Sequence, residues 1–221
     1  MAAAAALAEA IASLDVRFGA RTVTAVTAAA ERAEQRRSFT DTSFDRISGG
    51  IGPGEIVALT GEGTCGKVTL ALRAVAGAQR DGGMAMWIDP ARSFDALAAQ
   101  RSGVDLACVI VVRPRSRDEI LLAAGAGLRG DGFRMVVVDL GPSFAQIASP
   151  DALSSVVPRV RGSTAALVVV SDAPAMRISL PTFVFERAGW ESRHGRTTGW
   201  SVAVRRVGDA RSDPALLEAA V

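Results

Sequence analysis

The chain of 221 residues has no tyrosine, one histidine, two cysteines and, among 25 basic residues, a single lysine. Each scarcity removes an explanation. Cys65 and Cys108 offer no disulfide framework, as expected for a reducing compartment. Apolar runs such as residues 135–138 and 165–170 are far too short to cross a bilayer. Residues 1–12 are rich in alanine but lack a basic leader and carry Glu9, unlike a signal peptide. A cytoplasmic protein without a membrane partner is therefore expected. The net charge of +2 is too small to imply a nucleic-acid partner by itself. What the chain does have is apolar material: 49% of its residues are hydrophobic, enough for the core of one moderate domain.

The lone lysine, Lys67, stands out in a chain that otherwise uses arginine. A general bias against lysine explains the scarcity, and retention at this one place suggests that a compact ammonium is wanted there. It lies in EIVALTGEGTCGKVTLAL, residues 55–72. An apolar run at 56–59 reads as a buried strand, a loop carries Gly61, Gly63 and Gly66, and a helix opens at Lys67. This is the setting of a phosphate-binding loop, in which backbone N–H groups and a helix N-terminus face the phosphates. Gly61, Gly66 and Lys67 meet the G-x-x-x-x-G-K spacing. The next position should hold a hydroxyl for the magnesium ion, yet it is Val68, with Thr69 one place later. Two readings stay open: a loop that binds nucleotide, and one that only holds the fold. Cys65 reads as a small loop residue.

Along the chain, Leu7, Ile11 and Leu14 recur at i, i+4 and i+7, which predicts a helix over 3–15 ended by Phe18-Gly19. Alternation predicts a strand at 21–26, and a helix charged on one side covers 27–37. Glycines and Pro53 mark 38–53 as a loop. Strands at 56–59, 84–89, 107–112, 135–139 and 165–171 alternate with helices at 67–79, 93–101, from Ser116 to near Gly130 and Gly132, and 151–161. That alternation predicts an α/β fold with a mostly parallel sheet and helices on both faces. Residues 182–186 and 200–207 read as an antiparallel edge joined around Gly189 and Gly199, and 213–221 as a short helix or loose tail. The expected parts are an N-terminal arm (1–37), a core (38–208) and a tail (209–221). Asp139 ends a buried strand at the edge where parallel sheets carry ligands, a candidate metal-organising acid or an idle one. His194 reads as an exposed loop residue. Arg187, Arg193, Arg196, Arg205, Arg206 and Arg211 gather near Trp190 and Trp200. They form a solvated face, a partner surface or a single-strand contact.

Several segments resemble bacterial RecA: ALAEAIASLDVRFGA, then GKVTLALRAVAGAQRDGG with MAMWIDPARSFD, RSGVD, VVVDL and RAGWESRHGRTTGW, covering roughly residues 6–207. The resemblance implies a RecA-like P-loop core. It also implies an arm, carrying Leu7, Ile11, Leu14 and Phe18, that docks on another subunit. It further implies a nucleotide site at Gly61, Gly63, Gly66, Lys67, Val68 and Thr69, with Asp95 on the base side and Asp139 toward the metal. The departures point to a degenerate ATPase. Ala91 stands where the family has its hydrolytic glutamate, a loss expected to slow hydrolysis by ~10²–10⁴. Ala98 replaces the adenine-stacking aromatic. Ser171-Asp172 replaces the Asn-Gln pair that senses the terminal phosphate, and an acid there repels a triphosphate. The ligand implied is ATP or ADP, with magnesium deprived of its hydroxyl.

The mobile DNA-contacting loops look shortened, about ten residues (172–181) remaining of the second, and the C-terminal RecA domain has no counterpart. A pared-down chain of this kind is similar to ImuA, the RecA-related mutasome subunit. That implies a non-hydrolysing accessory role in the SOS response and translesion synthesis. Its partners would be RecA, an ImuB-type subunit or a second copy, and DNA contact would be weak or indirect. The alternative is a DNA-dependent ATPase or recombinase. A third reading is a nucleotide-sensing scaffold that binds without turnover.

Overall fold

Five strands carry apolar or β-branched side chains at almost every position, the pattern of strands covered on both faces. They are β1 (Ile56–Thr60), β2 (Met84–Ile88), β3 (Val109–Val112), β4 (Phe133–Asp139) and β5 (Ala166–Ser171). The computed structural model describes residues 9–10, 12–13, 16, 36–37, 39–40, 42–80, 82–141, 156–172, 180–193, 196–207 and 215–220. Two units separate, Met1–Arg36 and Arg37–Val221. In the first, residues 9, 10, 12, 13 and 16 are helical. Leu7, Ile11, Leu14, Phe18 and the expected strand at 21–26 lie outside the described residues.

In the second unit the five strands run parallel, joined by β6 (Thr182–Arg193), β7 (Arg196–Arg206) and β8 (Ala215–Ala220) in the order β3-β2-β4-β5-β1-β6-β7-β8. Register is continuous across the centre: Trp87 lies beside Val137, Val137 beside Val168 and Val168 beside Val57. Because side chains alternate along a strand, each strand feeds two cores. Val57, Leu59, Trp87, Val137 and Val168 join one with α2 (Lys67–Gln79), while Ile56, Ile88, Val138 and Val169 join the other with α4 (Arg117–Gly127) and α5 (Val157–Arg161). Helices thus cover both faces, and the mixed α/β architecture with a mostly parallel sheet is as expected.

Caps set the helix starts. The Ser116 hydroxyl accepts from Glu119 N at 3.2 Å, and the Glu119 carboxylate accepts from Arg115 N at 2.6 Å, a reciprocal clamp close to a capping box. α3 spans Ala96–Arg101 rather than 93–101, because Asp95 caps it by accepting from Leu97 N and Ala98 N.

Elsewhere the sequence reading needs correction. The expected loop at 38–53 contains helix α1 (Thr42–Ser48), whose Phe44 is fully buried against Phe39, Phe183 and Phe185. Glycine and proline at 49–53 hid a short helix whose stability comes from packing. Of the charged helix expected over 27–37, residues 27–35 lie outside the described residues, and Arg37 is not helical but bridges Ile51. β6 is an inner strand, parallel to β1 and antiparallel to β7. Gly189 and Gly199 lie within the paired strands, next to register shifts at Arg187/Gly189 and Glu191/Ser192, not in the turn. The tail, ALLEAA, favours helix by propensity yet forms β8, because the open edge of β7 offers backbone partners from Val204 to Gly199. Among the described residues no helix is long and apolar enough to cross a membrane.

Phe44→Ala empties the centre of the aromatic cluster. It is expected to cost about 3–5 kcal/mol, roughly 6–20 °C in Tm for a chain of this size. Calorimetry that shows a shift of a degree or less would contradict this placement.

Candidate functional site

Parallel strands end together, so β1, β2, β4 and β5 deliver their C-terminal residues to one edge of the sheet. Thr60 leads into the glycine loop, and Asp89, Asp139 and Asp172 lie at or just beyond the ends of the other three. Gly61 must be glycine: its φ is 155°, and a Cβ there would collide with the Phe185 carbonyl and come within 2.8 Å of Cys65 Sγ. Gly66, with φ 88°, turns the chain left-handed into α2. Around Gly63 there is open space. The loop thus has the shape of a phosphate cradle.

Several of its polar groups, however, are engaged by the chain itself. Lys67 is 4% exposed. Its Nζ donates to the Gly63 carbonyl at 2.6 Å and pairs with Asp172 Oδ1 at 2.6 Å, with Cys65 Sγ at 3.9 Å. Gly61 N donates to the Ser171 carbonyl at 3.2 Å. Arg187 of β6 donates to the Thr64 carbonyl at 2.7 Å and to its hydroxyl at 2.9 Å, and its guanidinium stacks on Trp190 at 4.7 Å. A cleft of about 710 Å³ opens beside the loop, lined by Glu62, Gly63, Asp172, Arg187 and Arg205 among others.

Val68, 38% exposed at the head of α2, supplies no oxygen where a magnesium ligand belongs, and Thr69 is half-buried one position on. The residues present therefore fit a phosphate by backbone shape but not a magnesium-bound triphosphate by side-chain chemistry. Among the described residues no group of three or more His, Cys, Asp and Glu is arranged to hold a metal ion.

The acids at the edge form a separate cluster. Asp89 is fully buried and accepts from Ser93 N at 2.8 Å, Phe94 N at 3.1 Å and Arg113 Nε at 3.4 Å. It locks the turn after β2. Ala91 within that turn packs toward Gly141, where an added Cβ would lie 2.9 Å from the Ala91 methyl. Ser93 Oγ also donates to Asp139 Oδ2 at 3.4 Å. Burial pushes the Asp139 carboxyl above the usual carboxylate range and the Asp89 charge adds to it. The Gly141 N–H, Ser93 and Lys67 pull the other way.

The glycines and Lys67 thus come together, and Asp139 sits near enough to feel Lys67. Asp95 caps α3 and is not among the residues lining this cleft. Sequence reasoning did not single out Asp89, Ser93, Arg113 or the Arg187–Thr64 tether. Asp89 carried the same signal as Asp139, an acid directly after a buried strand. The Arg187 contact, across 123 positions of sequence, carried none.

Since the folded-state pKa of Asp139 is raised, its contribution to stability is fully present below the unfolded value, about 3.9, and is lost as pH rises through the folded value. Asp139→Asn removes that loss. In urea melts from pH 4 to 8, the stability of the variant relative to the parent should increase as pH rises through the raised folded-state value of Asp139. A pH-independent difference would refute the assignment.

Residues 5–153 match the family model described as RecA N-terminal domain. The chain is 35% identical over 91 residues to Protein RecA of Chloroherpeton thalassium, covering 41% of this chain and 26% of that protein. Over the same length and shares it is 37% identical to Protein RecA of Clostridioides difficile. With Protein RecA of Acidothermus cellulolyticus the identity is 40%, again over 41% of this chain and 26% of the relative. The matched stretch spans about a quarter of these relatives' length. With the match extending over most of its length, the chain belongs to the RecA N-terminal domain family.

Proposed function

We propose that this RecA-family chain is an accessory protein of bacterial DNA-damage tolerance. It is of the ImuA type and works in translesion synthesis through contacts with RecA or an ImuB-type mutasome subunit. Nucleotide hydrolysis is lost or weak. The observation that carries this reading is Ala91. By the resemblance, Ala91 stands where the family carries its hydrolytic acid, and its methyl group, which faces Gly141 in the turn after β2, cannot orient water. Asp89 cannot take over, since its carboxylate is buried and accepts from the turn and from Arg113. Val68 adds to the case by withholding a metal ligand.

With turnover weak, the interaction surfaces become the basis of function. The arm at 1–37 would dock on the partner through Leu7, Ile11, Leu14 and Phe18. The nucleotide loop would keep at most a regulatory role, holding ATP or ADP without a well-bound magnesium ion. DNA contact would be weak or indirect.

Two measurements test this. Single-turnover phosphate release from ATP with single-stranded DNA should run about 10²–10⁴-fold slower than a RecA control. A comparable rate would establish the ATPase alternative instead. Deleting residues 1–26 should abolish pull-down of RecA or the ImuB-type subunit while the melting transition of Arg37–Val221 persists. Undiminished capture would exclude the arm as the docking element.

A further inference from the structure

The Lys67–Asp172 pair is a second departure, separate from Ala91. A phosphate-loop lysine normally reaches the β- and γ-phosphates, and at 2.6 Å the Asp172 oxygen lies at the distance a phosphate oxygen would take from that ammonium. Lys67 is buried, so the pair is only lightly screened on the lysine side, whereas Asp172 keeps 24% side-chain exposure toward the cleft. The other cations of the cleft are engaged as well: Arg187 donates twice to Thr64, and Arg205 lies 3.7 Å from Glu186.

We infer that Asp172 is a built-in counter-ion for the phosphate loop, occupying Lys67 in place of a terminal phosphate and setting the site against nucleoside triphosphates. A phosphate entering the cradle must either displace a carboxylate from a buried ammonium or sit beside it, charge against charge. A triphosphate suffers more than a diphosphate, because its γ-phosphate brings the additional charge toward Asp172. The same pair keeps Lys67 satisfied, so the loop holds its shape without a ligand. Asp172, directly after β5, is thus a specificity-determining residue.

This inference rests on the reading of a non-hydrolysing RecA-family site, but it is tested by binding alone. Dissociation constants for ADP and for a non-hydrolysable ATP analogue would be measured on the full chain and on Asp172→Asn, Asp172→Ala and Asp172→Glu. Thermal melts would confirm that each variant is folded. The parent should bind the triphosphate analogue more weakly than ADP. Both Asp172→Asn and Asp172→Ala should tighten the triphosphate by about tenfold or more, and by more than they tighten ADP, while Asp172→Glu gives no gain.

A gain in Asp172→Asn only would show a new amide contact with phosphate in place of a removed counter-ion, and would overturn the inference. So would unchanged affinity in both neutral variants, or tight triphosphate binding by the parent that is lost in Lys67→Ala. None of these results touches the hydrolysis and pull-down measurements. A RecA-like hydrolysis rate would sink the accessory-protein reading whatever Asp172 does.

Discussion

Burial on both faces of the central strands is the constraint from which the rest of the molecule follows. Val136 and Val137 in β4, or Leu167 and Val168 in β5, point to opposite cores and are both almost fully inaccessible. Parallel pairing with helices on either side satisfies that demand. Parallel pairing in turn collects the strand ends at one edge. Every polar residue of the candidate site that follows a strand therefore faces the same small volume, without any need for long loops to carry it there.

At that edge the chain satisfies its own charges. Asp89 is balanced by backbone N–H groups and Arg113, and Lys67 by Asp172 and a carbonyl. Buried charges are costly unless paired and hydrogen-bonded, so a site built to receive a charged ligand usually leaves some group waiting for it. Here the loop retains the backbone geometry of a phosphate cradle while its lysine is neutralised from within. Shape and charge have parted company: Gly61 and Gly66 serve the packing of β6 and α2 as much as any ligand. The glycines of such a loop are thus required by packing as well as by any ligand.

β6 and β7 link the site to the rest of the sheet. Phe183 and Phe185 send their rings into the cluster around Phe44, the Phe185 carbonyl crowds Gly61, and Arg187 ties down Thr64. One strand thus supports α1, shapes the glycine loop and presents an exposed Trp190 with its stacked guanidinium. Direct contacts thus join the loop to the outer hairpin.

Periodicity and glycine spacing alone determined the alternating α/β order, the strand that enters the loop, the helix that opens at Lys67 and the acid that ends β4. These are local signals, written in neighbouring residues. Composition and propensity misjudged α1 and β8, because a seven-residue helix and an alanine-rich strand are stable only through what they touch. The ends of β1 and β5 are far apart in sequence and adjacent in space, so whether Asp172 merely stood near the loop or paired with its lysine was decided by tertiary structure. Register between Thr60 and Ser171 brings the two together, and a buried ammonium takes the nearest carboxylate because nothing else in a low-dielectric setting stabilises it as well.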